Sequence, residues 1–244
     1  AKESIDGNAT KRTWTNLIAN SDGHQAAGFT LLQNYYKEYK ELKREDATIA
    51  LQLARFAQQN KRLPSKYTDS YLADALKSRD EYLLAEALEL MGQQYLTKEE
   101  TVKKGIAQFK KAARQDVNQG ARARAAHRLG RLFLGEQGVT ADTKEATTYL
   151  LQAAQQSYEP GLSFEASYEY ARLHEHDDPS KALEYYTKVA EQKDHVVWRL
   201  KALIKLGEIC FKLRDFEGAL TNFETVETET VSFPLEAQFL AHAW

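Results

Sequence analysis

The sequence predicts an all-α protein, a right-handed α-solenoid of about five or six stacked antiparallel helix pairs. Three observations predict it. Apolar residues recur at helical spacing along most of the chain, helix formers are abundant while proline occurs only 4 times in 244 residues, and one two-helix pattern returns at intervals of 36 to 41 residues. Met91, Leu129, Tyr170 and Leu206 mark one position of the pattern; Gly105, Ala146, Ala182 and Ala219 mark another. A fixed interval in this range is the mark of units that stack on their neighbours to share a core.

The clearest unit spans residues 125 to 156. Its first helix sets Ala125, Leu129, Gly130 and Phe133 on one face, and its second sets Ala146, Tyr149, Leu150, Ala153 and Ala154 likewise. Both stripes follow the 3.6-residue turn. Small residues at Gly92, Gly130, Ala171 and Gly207 would let two helix axes approach near the short end of the usual ~8–10 Å range. Large side chains would fill the space between helices. Gly130→Leu should therefore disrupt stacking, and the same change at the loop position Gly135 should cost less.

Earlier in the chain, Trp14, Leu17 and Ile18 predict a helix over 8–20, closed by Ser21, Asp22 and Gly23. A longer helix from Gln25 to about Lys43 carries Ala27, Leu31, Leu32 and Tyr35, with mixed charges at its end that fit a solvated face. Asp46 heads a second helix through Ala50, Leu53, Ala54 and Ala57. Residues 59–80 are the least regular: Pro64 breaks the pattern and only a short helix around Tyr71–Leu76 is predicted.

The stretch Glu81–Leu96 is a first helix, with Ala87, Met91, Gly92 and Tyr95 in register. Thr97 and Glu100 have capping-box spacing ahead of Gly105, Ile106, Phe109, Ala112 and Ala113. After the opening unit come Ala166, Tyr170, Ala171 and His174, then Ala182, Tyr185, Tyr186, Val189 and Ala190. Asp178 before Pro179 is a helix start, because the aspartate can cap and the proline has no amide to leave unpaired. The last complete unit places Ala202, Leu206, Gly207 and Cys210 in one helix and Asp215, Ala219, Phe223 and Val226 around the next. Leu235, Phe239 and Trp244 then mark a terminal helix after Pro234. One helical-repeat domain over 1–244 is expected, less regular over 1–80, clear over 81–230, with its terminal helix over 234–244.

Composition narrows function. Basic residues number 33 against 35 acidic ones, a formal net charge of −2, so no whole-protein field favours nucleic acid or an anionic membrane. No apolar run is long enough to span a bilayer. A single cysteine, Cys210, excludes an intrachain disulfide and a cysteine-rich zinc site. The chain starts at Ala1 and its one methionine is Met91; a processed mature chain or a cut piece of a longer one is expected, a removed secretory signal being one explanation, with a periplasmic or exported location favoured over a cytoplasmic one.

The run Leu129, Gly130, Phe133, Gly135, Gly138, Val139, Asp142, Lys144, Ala146, Tyr149, Ala153 and Ala154 resembles a complete Sel1-like repeat, a relative of the tetratricopeptide repeat with a longer, glycine-containing loop. The similarity extends over roughly residues 25–230 and is closest from 87 onward. The unit at 166–193 replaces the glycine loop, and that at 202–226 is nearer to an ordinary tetratricopeptide. Cysteine-rich members carry paired cysteines within repeats, which this chain lacks. The resemblance implies a protein-binding adaptor or assembly scaffold in membrane-associated or envelope complexes, such as bacterial exopolysaccharide export.

Candidate chemistry is sparse. His174, His176, Asp177 and Asp178 are the densest polar cluster, but the spacing fits a helix cap and loop better than a metal site. Cys210 takes a buried aromatic slot, where a thiol acts as a small apolar group. His127, His195 and His242 have no partner at catalytic spacing, and no nucleotide, zinc-protease or serine-hydrolase motif occurs. No catalytic residue, cofactor or metal is therefore assigned. First helices of such repeats line the concave face. On them Arg124, Arg128, Arg131, Arg172, Lys201 and Lys205 form a candidate basic strip for a protein partner. An anionic glycan or peptidoglycan fragment is the alternative ligand, and a hydrolase built on the repeats the third reading.

Overall fold

The computed structural model describes residues 25–41, 47–59 and 65–232. The expected helices over 8–20 and 234–244, with Trp14, Leu17, Ile18, Leu235, Phe239, His242 and Trp244, lie outside the described residues. So do Asp46, Pro64 and the side chains of Ala27, Leu31 and Tyr35.

All regular structure among the described residues is helical, with no strand. The α-helices are α1 (Gln25–Glu41), α2 (Ala47–Gln59), α3 (Ser65–Ala75), α4 (Glu81–Tyr95), α5 (Val102–Ala112), α6 (Gln119–Phe133), α7 (Thr143–Ala154), α8 (Pro160–His174), α9 (Pro179–Ala190), α10 (Val196–Lys212) and α11 (Phe216–Ser232). The chain divides into two compact units, Ala1–Arg122 and Ala123–Trp244.

In the first unit each of α1 to α4 packs on the next, and α2 also meets α4. Phe29 stacks on Phe56 at 4.5 Å between ring centroids, and Tyr36 meets Tyr71 edge-on at 5.4 Å. Leu32, Ile49, Leu53, Leu72, Ala75, Ala87 and Met91 complete this core. Helix α3 is longer than the short helix predicted around Tyr71–Leu76. Its reason is a stripe of Thr68, Tyr71, Leu72 and Ala75, all buried and spaced i, i+3, i+4, i+7. The threonine made the stripe hard to read, because its hydroxyl masks its place in the core.

In the second unit α7 packs on α8, α8 on α9, α9 on α10 and α10 on α11, with α8 also meeting α10. Ala171, Ala182, Tyr186, Val189, Ala202, Leu203 and Leu206 form an apolar cluster there. The last helix is more open: Phe216, Leu220 and Phe223 are exposed, whereas Tyr186, at the matching place in α9, is fully buried.

Helix starts follow their polar residues. Asp80 accepts from Tyr82 and Leu83 amides, Asp142 from Glu145, and Asp178 from Lys181 with Pro179 in the first turn. Asp215 accepts from the Gly218 amide at 3.0 Å. The capping box at Thr97 is not formed. Its hydroxyl donates backward to the Gln94 carbonyl at 2.8 Å, and α5 begins after a single 3-10 turn at Glu99–Thr101. Cys210 is half-buried rather than buried, and burial together with the Asp215 carboxylate raises its thiol pKa.

Candidate partner-binding face

Helices α6 and α8 carry most of the candidate residues. Arg124, Arg128 and Arg131 are spaced i, i+4, i+7 on α6 and share the side away from the fully buried Ala125, Leu129 and Leu132. None of the three is left as a bare charge. Arg124 donates to Glu159 at 2.9 Å, and Arg128 to Glu136 at 3.1 Å. Arg131 donates from Nε to Glu136 at 2.6 Å and from Nη1 to Glu165 on α8 at 2.8 Å.

Glu165 is the hinge of this network. Burial works against its charged form, yet His127 and Arg131 together hold its pKa below the ordinary carboxylate value. His127 Nε2 lies 3.3 Å from Glu165 Oε1 but off the line of a good hydrogen bond. Burial likewise disfavours the Arg131 charge, and the surrounding Glu136, Glu165 and Glu169 outweigh it, raising its pKa. Glu169 is also the partner of Arg172, 2.7 Å from Nη2. Arg124, Arg128, Arg131 and Arg172 are thus brought into one mixed-charge surface.

Helix α10 adds an aromatic edge. Trp198 packs tilted against Tyr168 of α8 at 5.6 Å, and the Lys201 ammonium stands 4.5 Å from the Trp198 ring centre. Tyr168 also meets Tyr186 edge-on at 5.3 Å. Burial, with Glu169 and Glu175 nearby, pushes the Tyr168 pKa up to about 12. The Tyr186 hydroxyl donates to Glu175 at 2.6 Å, and burial raises its pKa as well. Lys205 pairs with Glu208 at 2.8 Å on the same helix.

The expected strip of positive charge is therefore compensated: Arg124, Arg128, Arg131, Arg172 and Lys205 each hold a glutamate, and Lys201 sits on an indole. Sequence reasoning missed those glutamates. A signal existed, since Arg124 to Glu159 and Arg131 to Glu165 span 35 and 34 residues, close to one repeat. A glutamate one interval after an arginine would have pointed to both. Arg199, also missed, clamps Glu229 of α11 with Nε at 2.8 and 2.9 Å from its two oxygens.

The remaining polar candidates serve packing. His174 lies edge-on to Tyr170 at 4.6 Å, with Nε2 buried and without a hydrogen-bond partner. Asp178 caps α9 and pairs with Lys181 at 2.9 Å. Among the described residues no group of three or more His, Cys, Asp or Glu side chains is placed to hold a metal ion, and no helix is long and apolar enough to cross a membrane. Compared with models of known protein families and with curated proteins, the chain has no match in either.

Proposed function

We propose that this chain is a non-enzymatic interaction adaptor, a right-handed α-solenoid of Sel1-like and tetratricopeptide-like units that holds a protein partner on the face of α6, α8 and α10. The observation that carries the reading is the surface made by Tyr168, Trp198 and Lys201 beside the Arg131–Glu165–Glu169–Arg172 series. Tryptophan, tyrosine and arginine are the residues that most often dominate binding energy at protein interfaces. Side chains already held by ion pairs also lose less freedom when a partner docks.

Two further features support stacked repeats. The small-against-large contact recurs at Gly92 with Phe109, Gly130 with Leu150 and Gly207 with Phe223. First helices are linked across about one repeat interval by Arg124–Glu159 and Arg131–Glu165. Glu136, Glu159, Glu165 and Glu169 near the face are engaged with arginines, which favours binding over acid–base chemistry. The same pairing weighs against an anionic glycan, which would have to compete with Glu136 and Glu165 for each guanidinium.

The test is affinity capture from the native source with wild type and with R172E/K201E, each checked for an unchanged melting temperature. A partner retained by wild type and lost by the variant supports the reading. Identical partners on both would overturn it.

A further inference from the structure

A dense cluster of positive charge in the first unit lies elsewhere, on α5. Lys103, Lys104, Lys110, Lys111 and the following Arg114 fall on one side of the helix, opposite Val102, Gly105, Phe109 and Ala112, which are buried. No acidic residue occurs from Thr101 to Gln115. Among the described residues no carboxylate pairs with Lys103, Lys104, Lys111 or Arg114. This sets them apart from the arginines of α6.

Beside them is an open cleft of about 500 Å³. Leu76, Leu84 and Leu88 make its apolar wall, and Gln108, Lys111 and Arg114 its polar rim. Leu88 is buried and Lys111 and Arg114 are exposed, so the charges stand at the mouth and the leucines behind them.

We propose that this cleft binds an acidic peptide segment that carries one large apolar side chain. The apolar side chain seats against Leu76, Leu84 and Leu88, flanking carboxylates meet Lys111 and Arg114, and the Gln108 side-chain amide can bond the peptide backbone. A single pocket for one anchor fits a peptide. A lipid surface fits less well, because Ala107 is the exposed apolar residue among these cations and too small to insert into a bilayer. A nucleic-acid backbone would use the cations and leave the leucine wall idle. The proposal rests on the adaptor reading only in that the ligand is a protein segment, since the surface is a different one.

Fluorescence anisotropy tests it, using a labelled glutamate-rich octapeptide with a central leucine and the same peptide with serine in place of leucine. The leucine peptide should bind wild type in low salt. K111E/R114E, at two exposed positions, should weaken it at least about tenfold, and the serine peptide should bind at least about fivefold more weakly. R172E/K201E should bind the leucine peptide as wild type does, so failure here is separable from failure of the α6–α8–α10 face. Absence of leucine-peptide binding, equal binding of both peptides, or no effect of K111E/R114E would overturn the proposal. So would displacement of the peptide by phosphatidylserine vesicles or by duplex RNA with K111E/R114E-sensitive affinity above that of the peptide.

Discussion

Gly130 faces Leu150 so closely that a Cβ on the glycine would stand 2.7 Å from the leucine side chain. Gly92 bears the same relation to Phe109, at 2.8 Å, and Gly207 to Phe223, at 2.6 Å. Distance alone would rank the three alike, but burial separates them. Leu150 and Phe109 are fully buried and cannot move aside, whereas Phe223 is 40% exposed and can. Gly130→Ala and Gly92→Ala should each destabilise by about 1–3 kcal/mol through overpacking. Gly207→Ala should come close to neutral, because its helix gains roughly 1 kcal/mol when glycine becomes alanine. Urea unfolding of the three variants checks the ranking, and a loss at position 207 equal to the others would contradict it.

The loop between α6 and α7 makes a second comparison. Gly135 has φ +106°, and Gly138 has φ +70° with no atom within 4 Å of a prospective Cβ. Position 135 has the space that position 130 lacks, in keeping with a smaller expected cost for leucine there, but its backbone is not one that an L-residue adopts readily, so the cost is not zero. Gly135→Ala should cost about 1–2 kcal/mol. Gly138→Asn should cost only a few tenths, on the order of 0.5 kcal/mol, since asparagine enters the left-handed region more easily than other residues. Thermal denaturation of both variants reads the difference.

Asp74 gives a pH prediction. Burial would raise its pKa, but Lys40, Lys77 and the Tyr36 hydroxyl lower it to about 2, with both ammonium groups at 2.7 Å. A carboxylate whose pKa is lower folded than unfolded adds stability when ionised in both states and loses it as pH falls through the folded value. The contribution is thus whole above about pH 4 and disappears toward pH 2. Allowing for screening of the exposed lysines, its size is about 1 kcal/mol. Asp74→Asn should flatten that part of the stability curve below pH 4. An unchanged acid slope in the variant would contradict the assignment.

The helical pairing was legible because each stripe is local: Leu129 with Phe133, or Tyr186 with Val189 and Ala190, lie within a turn or two in sequence. Small residues opposite large ones were legible for the same reason, once the interval was known. Long-range polar pairing was not. Nothing near Arg131 in sequence announces Glu165, and counting cations alone turned a compensated surface into an apparent positive strip. The α5 face escaped for the opposite reason. Its cations sit on a second helix of the pattern, away from the first helices that line a concave face, and the lack of a carboxylate partner for Lys103, Lys104, Lys111 and Arg114 shows only when the nearest described carboxylates are located in space. Helix α3 was underestimated because a buried threonine, Thr68, interrupts an apolar stripe to the eye but not in the core.

The adaptor reading is tested most directly by site-specific photo-crosslinking in extract of the native source, with a benzophenone amino acid at position 172 on α8 or at position 188 on α9. Arg172 lies on the proposed face, and Lys188, paired with Glu184 on exposed helix surface, serves as the comparison. A discrete protein adduct at 172 that is absent at 188 is the predicted result. Adducts of the same identity and yield at both positions, or none at 172 while 188 reacts, would contradict it.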